Sequence, residues 1–250
     1  MQSELASRLK LRYSPVAVLF TDKKPAGAVE FAEQKWGCVA AMLTAAVKGR
    51  TVVFSRKTFG CIGGGVGLGF GNMYVHFPGG FPNFLSTGSG EGYPEGEAYK
   101  KNPELAQKFV DELPITDIPE QFVVFKPLAQ VDEENETPKV IVFYVNPDQL
   151  SALVVLTNYN RPDNENVAIP FAAGCQTTCL LPWQESFREA PRAIIGMTDI
   201  SARPVIDADL LSFSVSYDLY KALEAEAPGS FMDKESWHKV LRRIPDLPEI

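Results

Sequence analysis

The residues best suited to chemistry in this chain are its four cysteines, Cys38, Cys61, Cys175 and Cys179. Three of them directly follow a glycine, which lets backbone N–H groups approach a ligand closely. Cys38 lies near the start of a predicted helix, whose N-terminal partial charge favours the thiolate that binds metal. Cys175 and Cys179 are four residues apart, so a helical turn would place both sulfurs on one face. The pattern predicts one metal site with four cysteine ligands, an iron–sulfur cluster of the [4Fe–4S] type.

Three other interpretations of the cysteines stay open. Free cysteine is among the residue types most often buried, so the four can be unrelated core residues. They can instead include a redox-active pair in a metal-free thiol oxidoreductase, although disulfide geometry suits a pair four residues apart on a helix poorly. The third alternative is a non-catalytic module that binds a small ligand in the glycine-rich and aromatic segment.

A glycine-rich segment runs from residue 60 to residue 71 and contains Cys61. It follows a predicted strand, as nucleotide-binding loops do, but Phe70 stands where the dinucleotide fingerprint requires glycine or alanine, and no GK[ST] follows. We therefore expect this segment to serve the cysteines rather than a phosphate. The glycines predicted to give backbone contacts to the cofactor are Gly60, Gly63, Gly64, Gly65 and Gly174.

Beyond these glycines the chain is dense in glycine, proline and aromatic residues, and we predict that residues 60–101 form a long loop that acts as a lid. Tyr74, His76, Phe77 and Phe81 are its predicted pocket residues. His76 fits a ligand or acid–base role, but it also fits simple packing among aromatic rings. No hydrolase motif accompanies it, because GxSxG and HExxH are both absent and the chain has only two histidines.

Charge and hydropathy restrict the class of protein. The net charge is -7, which gives no electrostatic attraction to nucleic-acid phosphates or anionic lipid. The N-terminal residues lack the pattern of a signal peptide, and no apolar stretch approaches the roughly 20 residues that span a bilayer. We therefore predict a cytoplasmic protein, where cysteines rarely form structural disulfides. Its expected partner is a redox protein or a small-molecule substrate, and its oligomeric state is unknown.

The elements that must position the cysteines indicate a single compact α/β (or α+β) domain over residues 1–250, with a mixed β-sheet and flanking helices. Near-continuous apolar runs predict strands that are covered on both faces. Strands are expected at 14–21, 51–55, 122–128, 140–145, 153–159, 193–197 and 211–215. Helices are expected at 36–48 and 217–226. A further helix should begin at Pro147, with Asn146 as its N-cap.

Three segments of the chain carry a resemblance to a known family. These are the glycine-rich segment with Leu68-Gly69-Phe70, the stretch 123–128 together with 142–150, and the stretch 170–175 followed by 195–199 and Arg203. They resemble the uncharacterised ArCR family, a domain of unknown function (DUF169) common in anaerobic bacteria and archaea. The resemblance extends from about residue 14 to residue 213.

The resemblance implies that Cys38, Cys61 and Cys175 occupy recurring positions, and an anaerobic setting favours an oxygen-sensitive cluster. Cys179 departs from that pattern, so a three-cysteine site with an exogenous fourth ligand stays open. Two functions are compatible with a cluster here. Electron transfer needs four protein thiolates, whereas activation of a small substrate needs an iron with a free coordination position.

Overall fold

The computed structural model describes residues 1–89 and 94–245. Within them the strands are β1 (Val16–Thr21), β2 (Val52–Ser55), β3 (Phe122–Pro127), β4 (Val140–Val145), β5 (Val167–Ala168), β6 (Ala193–Gly196) and β7 (Leu211–Ser216). They form one sheet in the order β2-β3-β1-β4-β7-β6-β5. β5 and β6 pair in parallel and the other neighbours pair antiparallel. The predicted mixed sheet and α/β class are confirmed.

The helices of the same residues are α1 (Glu4–Arg8), α2 (Val39–Val47), α3 (Ile62–Gly67), α4 (Phe81–Phe84), α5 (Pro103–Glu112), α6 (Pro147–Thr157), α7 (Leu181–Glu185), α8 (Tyr217–Glu226) and α9 (Glu235–Leu241). A π-helical segment, Gln176–Leu180, leads directly into α7. None of these helices is both long and apolar enough to cross a membrane.

Both faces of the sheet are covered, which explains why strands such as β1 and β4 are near-continuous apolar runs. On one face, Val16 and Val18 of β1 pack in a core cluster with α2 and the π-helical segment. On the other face, Ala17 packs in a second cluster with α1, α6, α8 and α9. Because successive residues of a strand point to opposite faces, each apolar run contributes to both cores. Cys175 and Cys179 belong to the first cluster, and Cys38 packs against it.

The strand predicted at 153–159 is wrong, because most of that stretch is the second half of α6. Two hydrogen bonds between Asn146 and Gln149 fix the residue at which α6 begins. The Asn146 side chain accepts a hydrogen bond from the Gln149 N–H at 3.0 Å, and the Gln149 side chain accepts one from the Asn146 N–H at 2.9 Å. This capping box favours helix from Pro147 onward. Leu153 and Leu156 then bury one helical face, which outweighs the strand preference of the valines between them.

The long loop predicted over residues 60–101 is also corrected. Residues 62–67 form α3, and a 3-10 turn, Met73–His76, and α4 follow. The aromatic residues of this segment build a small core of their own against α5, in which Tyr74, Phe81 and Val110 are buried. Short helices and closely packed rings thus replace the predicted irregular loop. Residues 90–93 of the predicted lid lie outside the described residues.

Candidate functional site

Three of the four cysteines stand at the start of a helix. Cys38 is the N-cap of α2, Cys61 is the N-cap of α3, and Cys175 directly precedes the π-helical segment. All three side chains line one cavity of about 500 Å³. The fold therefore brings together, at a single cavity, three thiols that are far apart in sequence.

Two of these cysteine sulfurs form hydrogen bonds with backbone groups of α3. The Gly64 N–H donates to Cys61 Sγ at 3.2 Å, and the Cys175 thiol donates to the Gly63 carbonyl at 3.1 Å. The backbone N–H of Val39, the residue after Cys38, lowers the pKa of Cys61. The Cys175 thiol thus links the start of the π-helical segment to α3.

Burial raises the pKa values of the Cys61 and Cys175 thiols. Burial raises the pKa of Cys61, and the Gly64 N–H and Val39 N–H partly oppose that effect by favouring the thiolate. Burial also raises the pKa of Cys175 well above its usual range, and the negative charge of the nearby Asp199 carboxylate raises it further. In the ligand-free protein these two thiols are therefore protonated at neutral pH. A bound metal would release their protons, because a coordinating thiol is deprotonated.

Two glycines of α3 allow this close approach. A Cβ atom at Gly67 would lie 2.6 Å from Cys175 Sγ and 2.8 Å from the backbone nitrogen of Gln176. A Cβ atom at Gly64 would lie 2.5 Å from a methyl group of Val39 and 3.2 Å from Cys61 Sγ. The glycine-rich stretch is helical despite the low helix propensity of glycine because only glycine lets α3 pack this tightly between the cysteines.

The five glycines predicted to contact a cofactor through their backbone have different roles in the structure. Within the described residues, Gly64 is the one predicted glycine whose N–H reaches a cysteine sulfur, while Gly63 contributes its carbonyl instead. The Gly65 N–H is used inside α3, and the Gly174 N–H donates to the Asp199 carboxylate at 3.2 Å. Gly60 has φ +79° and lies against the Gly37 carbonyl, so its role is to shape the turn before Cys61.

Cys179 is not among the residues that line the cavity. It lies one turn further along the π-helical segment, fully buried in the apolar core, and burial alone raises its pKa. The common face expected for Cys175 and Cys179 therefore does not bring the second sulfur to the cavity. The spacing of the two cysteines in the sequence could not show that Cys179 lies outside the cavity. Its position depends on how deeply the π-helical segment is buried against the sheet.

The donors that the cysteines offer to the cavity are thiols, the ligand type of iron–sulfur clusters. Among the described residues no group of three or more His, Cys, Asp or Glu side chains could hold one metal ion. Thiolates on one ion must lie roughly 4 Å apart, since each metal–sulfur bond is about 2.3 Å. A cluster spaces its thiolates further apart and takes cysteine as its ligand. The three thiols around one cavity are ligands of the type that such a cluster takes.

Aromatic rings form much of the remaining cavity wall. Tyr74 and Phe81 stack with ring centroids 3.8 Å apart, and Phe77 lies 5.2 Å from the Phe81 ring. These three predicted pocket residues do line the cavity. His76 does not, because its side chain is exposed to solvent on the outer side of the 3-10 turn. Phe171 also lines the cavity, and its ring packs against those of Tyr99 and Phe109.

Gln176 and Asp199 line the cavity and were not among the site residues predicted from the sequence. Gln176 is 1% exposed and follows Cys175 directly. Asp199 accepts hydrogen bonds from the Gly174 N–H and from the N–H and hydroxyl of Ser201, so it fixes the turn that leads into Cys175. Gln176 could have been recognised from the sequence by its position beside a cysteine, in a segment whose other residues are small or apolar.

Comparison with known proteins adds one finding to this geometry. A family model described as uncharacterised ArCR (DUF169) matches residues 4–226. No curated protein and no solved structure matches the chain significantly. The three cysteines that line the cavity all fall inside the matched residues, as does the whole sheet. Since the match spans most of the chain, this protein belongs to the uncharacterised ArCR family.

Proposed function

We propose that this protein binds an iron–sulfur cluster through Cys38, Cys61 and Cys175 and uses it for redox chemistry on a small substrate. The observation that carries the proposal is the convergence of these three thiols, each at a helix start, on one cavity of about 500 Å³. Cavities of this size are typical of sites for small molecules, which commonly measure about 300–1,000 Å³.

The position of Cys179 favours substrate chemistry over simple electron transfer. Because Cys179 lies outside the cavity lining, the chain offers three thiolates there rather than four. When bound, a [4Fe–4S] cluster with three protein thiolates supplies an iron whose free coordination position can take a small molecule. The cavity supplies the space for that molecule.

The surrounding residues have separate tasks in this proposal. The Gly64 N–H stabilises the Cys61 thiolate by hydrogen bonding, as such donors do at cluster sulfurs. Tyr74, Phe77 and Phe81 restrict the access of water to the thiolates. Asp199 holds the helix start that carries Cys175 in place. The proposed compartment is the cytoplasm, whose reducing conditions preserve free thiols, and the proposed partner is a small substrate or a redox protein.

A metal-free thiol oxidoreductase is the alternative, because Cys61 and Cys175 lie near each other. The raised pKa values of these two thiols count against it, since the thiolate is the reactive form in disulfide exchange. A metal can still bind a thiol with a raised pKa, because coordination of the sulfur displaces its proton. The cluster is therefore the better supported proposal.

Purification without oxygen tests the proposal directly. We expect a brown protein with broad visible absorbance and with iron and acid-labile sulfide in about equal amounts, near four of each per chain. Alkylation of the same sample under denaturing conditions, followed by mass spectrometry, should detect no intramolecular disulfide. A stable bond between two of the cavity cysteines, together with the absence of iron and sulfide, would support the thiol oxidoreductase instead.

A further inference from the structure

Tyr74 brings to the cavity a hydroxyl that has no hydrogen-bond partner. The residue lines the cavity and is 6% exposed, and its hydroxyl forms no hydrogen bond with another described residue. It differs in one respect from Gln176, Ser212 and Ser214, whose unpaired polar atoms are fully buried. The Tyr74 hydroxyl is not among these fully buried atoms, so it keeps a small accessible surface.

The groups around Tyr74 indicate that its hydroxyl lies on the cavity side of the ring. The ring stacks on that of Phe81, with centroids 3.8 Å apart and planes inclined by 8°. Burial raises the pKa of Tyr74, and negative charge at Cys175, Cys61 or Asp199 would raise it further. These three groups near the hydroxyl all line the cavity. At neutral pH the hydroxyl is protonated, so it is available as a hydrogen-bond donor.

A buried donor without a partner is costly unless a ligand supplies the acceptor. A phenylalanine at this position would keep the ring stacked on Phe81 without that cost. We propose that Tyr74 is a ligand-recognition residue, whose hydroxyl donates a hydrogen bond to a carbonyl oxygen of a small molecule bound in the cavity. A single hydroxyl in an aromatic wall suits a ligand with one acceptor on an apolar body.

The rest of the lining specifies that body. Aromatic side chains form much of the wall, among them Phe109 and Phe171, and flat aromatic molecules pack well on such rings. Charges of both signs lie at this wall. Glu97 and Asp199 line the cavity, and Lys100 Nζ lies 4.5 Å from the ring centroid of Phe109 and 4.9 Å from that of Phe171. The lining therefore selects a small aromatic carbonyl compound by its shape and its acceptor, not by a net charge.

This inference names the substrate class of the proposed cluster site. It rests on the proposed function only for the chemistry that follows binding, because a hydrogen bond from Tyr74 requires no iron. Iron and sulfide are measured on every preparation used for binding, so that failure of one proposal is distinguished from failure of the other.

The test compares acetophenone with α-methylstyrene in ligand-observed NMR titrations at pH 7. The two probes have nearly the same shape, but the carbonyl oxygen of the first is replaced by a methylene group in the second. Because water solvates the two probes differently, the informative quantity is the ratio of their affinities and how a substitution changes it. Tyr74→Phe removes the hydroxyl and keeps the stacked ring. It should weaken acetophenone binding roughly ten-fold and leave α-methylstyrene binding unchanged or tighter.

Two control variants keep the Tyr74 hydroxyl. Lys100→Met removes the cation beside the Phe109 and Phe171 rings and keeps an unbranched side chain. Tyr144→Phe removes the hydroxyl of a buried tyrosine that does not line the cavity. Both variants should keep the wild-type ratio of affinities. A Lys100→Met variant that lowers the ratio as much as Tyr74→Phe does would overturn the inference, because the lysine would then be the donor.

The inference is also overturned if wild type binds neither probe or if Tyr74→Phe keeps the wild-type ratio. Without ligand, Tyr74→Phe should melt at or above the wild-type temperature, because an unpaired buried hydroxyl is gone. Melting several degrees lower would mean that the hydroxyl has a partner inside the protein, which contradicts the inference. A change of the ratio in iron-free protein would leave the inference standing and reject the cluster. An unchanged ratio in protein loaded with iron and sulfide would do the reverse.

Discussion

Cys38→Ala, Cys61→Ala and Cys175→Ala are each expected to abolish retention of iron and sulfide, whereas Cys179→Ala should retain both at the wild-type ratio. The first three substitutions remove a thiolate from the cavity, and a cluster with two protein ligands is not held. Cys179 lies in the apolar core away from the cavity lining, so its removal leaves the ligand set intact. Iron and sulfide assays on anoxically purified variants measure the difference.

Cys179→Ala is the matched control because it makes the same chemical change in the same part of the fold. It should lower the free energy of unfolding by about 1–2 kcal/mol through the small cavity it leaves, without changing the iron content. Equal loss of iron in all four variants would show a four-cysteine site, and electron transfer would then be the better proposal. Wild-type iron content in all four would show that the cysteines are core residues.

Gly67→Ala is expected to destabilise the ligand-free protein by about 2–3 kcal/mol, in the range of overpacked cores, and to reduce its iron content. The added methyl group would lie 2.6 Å from Cys175 Sγ and 2.8 Å from the Gln176 backbone nitrogen, so α3 and the π-helical segment must separate. That separation moves Cys175 away from Cys61. Urea unfolding of the ligand-free variant gives the loss of stability, and the iron assay gives the effect on the site.

Gly63→Ala provides the control within the same helix. A Cβ atom at Gly63 meets no other atom within 4 Å, so replacing glycine with alanine should stabilise α3 by roughly 0.5–1 kcal/mol. Opposite signs for the two variants are the expected result. Equal destabilisation by both would mean that the glycines matter for backbone freedom in general, not for the approach of α3 to Cys175.

The sequence was most informative where local signals were strong. The helix over Tyr217–Glu226 and the strand over Val140–Val145 were predicted with the bounds that the structure has. The start of α6 was also predicted, because Asn146 and Pro147 together form a clear N-terminal signal. Its second half was mistaken for a strand, since Val154 and Val155 favour strands and the buried face of the helix is defined only by the tertiary fold.

Prediction of the site failed where the deciding contacts are long-range. The glycine-rich segment was expected to be a loop, because each glycine costs a helix about 1 kcal/mol, yet packing against Val39 and Cys175 makes it helical. The resemblance to the family singled out Cys38, Cys61 and Cys175, and the fold places these three at one cavity. No local pattern separates Cys179 from them, and none shows that the Gln176 amide lacks a partner.

The most direct test of the three-cysteine cluster is an anomalous difference map at the iron absorption edge, from crystals of the anoxically purified protein. We expect iron density in the cavity, with Sγ of Cys38, Cys61 and Cys175 each about 2.3 Å from an iron and Cys179 bonded to none. Iron bonded to Cys179, iron bound elsewhere, or a disulfide between cavity cysteines with no anomalous signal would contradict the account.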